Sequence, residues 1–385
     1  MNSPRRRPTE PPDAHSLQLA PRWGQHRSIA DAVARALGPH REAAEMLQRM
    51  APCAQRLGLR LSWAEGEAIT QQVASAHFCQ QRFCPICDWR RTVAWRRRLL
   101  PGLDAFHEER KTWRPLFLTL TVKNCPLNRT AQTIREMHEG WGRLTKRAEF
   151  PSPYWLRRTE ITVGNPCLGD DGAPKSSVRR KQSRPKKSES AGEVRRAPYE
   201  IEENSETAQA ASQISQSCDV PESLPLRAPG PDGQHWLHPH IHALVLVPPS
   251  YWSTGYVKQS RWRELWMDCA RLDYAPVVDV RRGYVRDPEK QSEGLHLDAA
   301  IEASKYISKH TELLSLGPAI ACLQQEIKGQ RMIAVSGGLS PYVKPEDPAG
   351  SELTDQPELI ESDSPMADVF VQWDAAARSY VQSPQ

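Results

Sequence analysis

Residues 238–247 read HPHIHALVLV, a polar half followed by an apolar half. The closing Ala-Leu-Val-Leu-Val has the length and β-branched character of a buried strand. On a strand alternate side chains share a face, so His238, His240 and His242 point to one side while Ile241 packs on the core. A lone histidine is usually a structural core group, but three in alternation at the head of an apolar strand are not easily explained by packing. Two histidines and a carboxylate leave open positions on a metal, as a catalytic site requires. Glu160, within the preceding strand-like run RTEITV (158–163), is the carboxylate, with His238 as the alternative third ligand.

Outward from this strand, LFLTLTV (116–122) is a second buried strand that ends at Lys123-Asn124, and VVDVR (277–281) is another. Ile134, Met137, Trp141 and Leu144 recur at helical spacing, and WRELWMDCARL (262–272) is an amphipathic helix. A further helix spans 299–314, residues 324–327 belong to one more, and 331–335 form a short edge strand. Upstream, residues 28–48 suit short helices broken at Gly38-Pro39, and 92–100 form a strongly basic helix. The predicted class is α+β around a largely antiparallel sheet with flanking helices.

Three segments lack such periodicity. Residues 1–27 are rich in Pro and Arg and read as a disordered arm, and 340–385 as an acidic disordered tail. Between them, 164–234 is rich in Ser, Lys, Pro and Glu, and is a disordered insertion rather than a loop of a compact domain. The expected organisation is therefore a helical and cysteine-bearing segment at 28–100, followed by a catalytic domain at 101–339 that carries the insertion.

The chain has 385 residues, 39% of them hydrophobic, with 51 Lys and Arg against 46 Asp and Glu. A net charge of +5 does not by itself announce a nucleic-acid partner, but the basic residues crowd at 90–98 and 179–187 while acidic ones collect after Pro345. No apolar run reaches the roughly 18 residues of a membrane span, and the N-terminal MNSPRRRPTEPPDAH lacks the apolar stretch of a secretory signal. The expectation is a cytoplasmic bacterial protein with no membrane association.

In a reducing compartment the nine cysteines are read first as metal ligands. Cys79-x4-Cys84-Pro-x-Cys87, with Cys53 upstream and His77 as its competitor for the fourth position, suits tetrahedral structural zinc. The alternative is a set of unrelated buried thiols. Zinc bound this way contributes folding free energy on the order of 10 kcal/mol in small domains. The basic helix after Trp89, with Arg90, Arg91, Arg96 and Arg97, then sits against the zinc loop and could lie on DNA phosphates, as could Lys123. In the predicted 299–314 helix, Glu302, Tyr306 and Lys309 share a face. A phenol near pKa 10 needs its oxyanion stabilised to act as a nucleophile, which Lys305 or Lys309 could do. By itself such a face is usually ordinary helix surface.

Taken in order, these motifs resemble the plasmid Rep family that contains the staphylococcal rolling-circle initiators. The resemblance runs from about Cys53 to Leu339, excluding the insertion, and rests on FCQQRFCPICDWRR (78–91), FLTLTVKN (117–124), GWGRL (140–144), HPHIH (238–242) and EASKYISK (302–309). It implies an HUH-endonuclease type of fold, with His240 and His242 holding Mg²⁺ or Mn²⁺ on the scissile phosphate. It implies Tyr306 as the nucleophile of a 5′-phosphotyrosine that frees a 3′-hydroxyl primer, and Glu302 as the base that activates water in the closing step. Plasmid origin DNA, single-stranded or extruded, is the implied substrate, with host helicase and polymerase as partners. The rival readings are a relaxase or transposase of the same HUH class, and a non-catalytic zinc-stabilised DNA-binding repressor. The insertion lies between Glu160 and His240, which leaves the third ligand open between Glu160 and His238.

Overall fold

A computed structural model describes residues 20–62, 69–165, 228–230, 233–283, 313–343 and 366–383. In chain order the helices used below are α1 (Pro21–Leu37), α2 (Ala44–Met50), α3 (Pro85–Glu109), α4 (Thr130–Leu144), α5 (Gln259–Cys269) and α6 (Ala319–Glu326). The strands are β1 (Arg56–Ser62), β2 (Thr70–Ala76), β3 (Arg114–Thr121), β4 (Cys125–Pro126), β5 (Trp155–Val163), β6 (Trp236–Val247), β7 (Val278–Arg282), β8 (Ile333–Val335), β9 (Met366–Asp374) and β10 (Ser379–Gln382). The architecture is α+β, with antiparallel pairing throughout the described strands.

The larger sheet runs in the order β7-β3-β6-β5-β8, with β4 also paired to β6. The histidine strand is thus central, and β8 lies at an edge. Alternation along β6 divides its two faces. Ile241, Ala243 and Val245 pack with Met137, Trp141 and Leu144 of α4 and with Trp262, Leu265 and Trp266 of α5. Leu244 and Leu246 face the other way, against Leu99, Leu103 and Phe106 of α3. Gly140 lets α4 and α5 approach, since an added Cβ would sit 2.9 Å from the Ala270 Cα. His240 and His242 stand at even positions of β6 and so belong to the α3 face.

The second sheet, β10-β9-β1-β2, encloses the N-terminal helices and the cysteines in one core. It departs from the sequence reading in two places. The tail, expected to be disordered from residue 340, contributes β9 and β10, and β9 pairs with the whole of β1, Arg56 to Ser62. Val371 and Trp373 point inward between exposed Phe370 and Gln372, a two-residue period that the acidic composition around it concealed. The arm expected over 1–27 also folds in part, because α1 begins at Pro21 and buries Trp23 and Arg27. The Arg27 guanidinium donates to the Ala51 and Cys53 carbonyls at 3.2 and 2.7 Å and pairs with Asp31 at 2.8 Å, so an apparently solvated arginine is a core group.

The proposed boundary at residue 100 falls inside α3, which runs from the cysteine core to the larger sheet without a break. The helix breaks at Gly38-Pro39 as expected. Residues 166–227, most of the expected insertion, lie outside the described residues. No helix among the described residues is long and apolar enough to cross a membrane.

Candidate metal centres

Two groups of side chains gather donor atoms at metal-binding spacing, and α3 adjoins both. The first is built where the loop after β2 turns into α3. Cys84 caps the helix and Pro85 begins it, with the fixed φ that suits a first helical position. Cys53, Cys79, Cys84 and Cys87 are all buried, with their sulfurs within 4.8 Å of one another. Cys53–Cys87 and Cys79–Cys87 are 3.6 Å apart and Cys84–Cys53 is 3.7 Å. These separations are too long for disulfides. They match the edge of about 3.8 Å in a tetrahedron of four 2.3 Å zinc–sulfur bonds. Contact with Cys53 pulls Cys79 and Cys87 below the ordinary thiol range, while contact with Cys79 raises Cys53 and contact with Cys53 raises Cys84. Four thiols so placed could hold one metal ion. His77, the competing fourth ligand, is exposed and outside the group, and its carbonyl accepts from the Ala54 amide.

The second group lies on the α3 face of the larger sheet. Register sets Glu160 of β5 opposite His240 and Arg158 opposite His242. The Glu160 carboxylate, 4% exposed, lies 3.4 Å from His240 Nε2 and 3.1 Å from His242 Nε2. Neither approach has hydrogen-bond geometry, so both Glu160 oxygens are buried without a donor. His242 is lowered by burial against the pull of Glu160, which favours the neutral ring a metal requires.

The outer nitrogens are also engaged. His240 Nδ1 lies 3.1 Å from the His238 carbonyl, which can only accept, so Nδ1 donates to it while Nε2 is the nitrogen turned to Glu160. Thr119 Oγ1, opposite His242 on β3, lies 3.1 Å from His242 Nδ1. A buried carboxylate that faces two imidazole nitrogens with no donor in hydrogen-bond geometry fits a divalent cation. His238 stacks on His240 at 5.3 Å but turns its Nδ1 to Asn124, 2.7 Å away, and is not among the converging donors. Burial, with His240 beside it, lowers His238 to about 4.

The other expected site residues fall elsewhere. Glu302, Lys305, Tyr306 and Lys309 lie outside the described residues, as does the side chain of Arg96. Arg90 lies over the Phe78 ring at 3.5 Å, and Arg91 donates to the Gln81 and Arg82 carbonyls at 3.2 and 2.7 Å. Both brace the cysteine loop. Arg97 is half-buried, and the Lys123 ammonium rests 4.2 Å over the Tyr274 ring. Thr119, Asn124 and Arg158 went unassigned in the sequence, although each is a polar residue interrupting or ending a strand pattern, which was the available signal.

The family model for the replication protein matches residues 70–381. Among curated relatives, a "Protein rep" of Lentilactobacillus hilgardii is 24% identical over 356 residues, covering 88% of this chain and 85% of its own. A "Protein rep" of Bacillus amyloliquefaciens is 25% identical over 355 residues, covering 87% and 84%. One from Staphylococcus aureus is 30% identical over 221 residues, covering 55% and 65%. No solved structure matches the chain. The family match spans both donor groups except Cys53, and on it the chain belongs to the replication protein family.

Proposed function

We propose that the chain initiates rolling-circle replication of a plasmid by nicking one strand of origin DNA and later rejoining it, on a fold of the HUH endonuclease type. The observation that carries this reading is the buried, donorless Glu160 carboxylate facing His240 and His242 on the central strand. These three residues would hold Mn²⁺ or Mg²⁺, with the mixed nitrogen and oxygen set favouring Mn²⁺. When bound, the ion polarises the phosphate oxygens and stabilises charge as the scissile bond is exchanged. Thr119 and the His238 carbonyl orient the two imidazoles, and burial keeps His242 neutral. The four-cysteine group would hold zinc and lock the start of α3 in place.

In this reading the Tyr306 oxygen attacks phosphorus, the bond from phosphorus to the 3′ oxygen breaks, and the phenol proton ends on that oxygen. The 5′ end stays on the tyrosine and the free 3′-hydroxyl primes synthesis. Glu302 takes a proton from water in the closing cleavage, which ends the cycle without a second tyrosine. Origin DNA presented as a single strand is the substrate, and host helicase and polymerase continue from the primer.

The test is a labelled single-stranded origin oligonucleotide incubated with Mn²⁺ or EDTA and resolved on denaturing gels. Expected is a metal-dependent nick with protein on the 5′ side, absent in Tyr306→Phe while binding persists. Wild-type protein that binds the oligonucleotide but never cuts it sinks the enzymatic reading in favour of a DNA-binding repressor.

A further inference from the structure

A cavity of about 110 Å³ opens beside the histidine centre, lined among others by Arg82, Asp88, Arg91, Trp95, Arg158 and Glu160. Three guanidinium groups therefore meet two carboxylates, one of which is the candidate metal ligand. Arg91 lies 3.9 Å from Asp88 and Arg82 donates to the Gln330 carbonyl at 3.2 Å. Arg158 is different. It is 8% exposed, its Nη1 is buried with no hydrogen-bond partner, and among the described residues no carboxylate lies within ion-pair distance.

An arginine buried with an idle donor is costly unless a ligand supplies the acceptor. Its position defines that ligand. Arg158 and Glu160 share a face of β5 two residues apart, about 7 Å along the strand, and they stand opposite His242 and His240. An anion on Arg158 would thus sit one short step from the phosphate at the metal. A ligand with negative groups repeated at such a step is a nucleic-acid backbone, and a planar guanidinium can bind a phosphate through two parallel hydrogen bonds.

We propose that Arg158, flanked by Arg82 and Arg91, binds the backbone phosphate next to the scissile one and so sets which bond lies at the metal. This rests on the nicking function proposed above. Arg158 is a positioning residue, acting on substrate register rather than on the reacting atoms.

The test begins without metal. In EDTA, fluorescence anisotropy with the labelled origin oligonucleotide should show Arg158→Met binding about tenfold more weakly, with the slope of log affinity against log salt reduced by about 0.7, one phosphate contact on a single strand. Mn²⁺ binding to free protein should be unchanged. With Mn²⁺, the variant should show a raised KM and cuts at more than one phosphate, and Arg158→Lys should restore affinity but not the single cut site. If Arg158→Met fails to fold, Arg82→Met in the same cavity should show the reduced slope. An unchanged slope in both methionine variants, with wild-type cutting intact, overturns this inference alone. Wild-type protein that never cuts overturns the nicking function itself.

Discussion

Thr119 shows how little is needed to decide what the histidine centre can hold. Its hydroxyl lies 3.1 Å from His242 Nδ1, on the far side of the ring from Glu160, and as an acceptor of an Nδ1 proton it would leave the Nε2 lone pair facing the carboxylate. Without that contact the ring could rotate or place its proton on Nε2, where it would bond Glu160 and close the site against a cation. Thr119→Val keeps the shape of the side chain and removes the oxygen. The expected result is a Mn²⁺ affinity lowered by about 10 to 100-fold, read by calorimetric titration, with Thr119→Ser close to wild type. Equal affinity in Thr119→Val would show that His242 is oriented by packing instead. The same residue marks the limit of the sequence. The run LFLTLTV reveals that Thr119 interrupts a buried strand, but not that strand register sets it opposite His242. The pairing of Glu160 with His240 has the same origin in register.

At the scale of elements, β9 bears the largest difference between expectation and fold. It covers β1 from Arg56 to Ser62, and Trp373 seals the joint by donating its indole N–H to Asp31 at 2.7 Å while its ring lies against Gly24. The terminal hairpin is therefore part of the wall around the cysteine core. Trp373→Ala should cost about 3 to 5 kcal/mol in urea unfolding, whereas Phe370→Ala, one strand position class away and 65% exposed, should cost little. Near-equal losses would mean that the hairpin does not belong to the cooperative core. Legibility followed the cleanness of each pattern. The apolar runs of β6 and β3 and the helical spacing of α4 needed only local pattern. Cys79, Cys84 and Cys87 were legible from spacing, whereas Cys53, far upstream and competing with His77, joins them only through the fold. Trp373 was hidden among acidic residues, and Arg27, Arg90 and Arg91 carry charge that composition assigns to the surface although packing draws them inward.

Across the whole molecule, half-buried histidines outside both donor groups tie stability to pH. His26 stacks on Trp89 at 4.5 Å, and burial lowers it from 6.5 to about 4 despite the pull of Asp88. His138 meets the Thr159 hydroxyl at 2.8 Å on the opposite face of the larger sheet, and burial with Arg157 nearby lowers it from 6.5 to about 3. Because both values fall on folding, the unfolded chain takes up these protons first as pH drops below 6.5. Stability from the neutral rings is complete above that pH and is lost progressively toward about 4 for His26 and about 3 for His138. Each ring contributes at most about 1.4 kcal/mol per pH unit in this window. Urea unfolding of wild type and His138→Gln at pH 7, 6 and 5 isolates one of them, since pH effects common to both proteins cancel in the difference. The variant should lose stability less steeply than wild type between pH 6 and 5, by about 1 kcal/mol per unit, while its amide can still meet Thr159. Parallel curves would mean that His138 titrates alike in the folded and unfolded chain, and that the acid sensitivity arises at other groups.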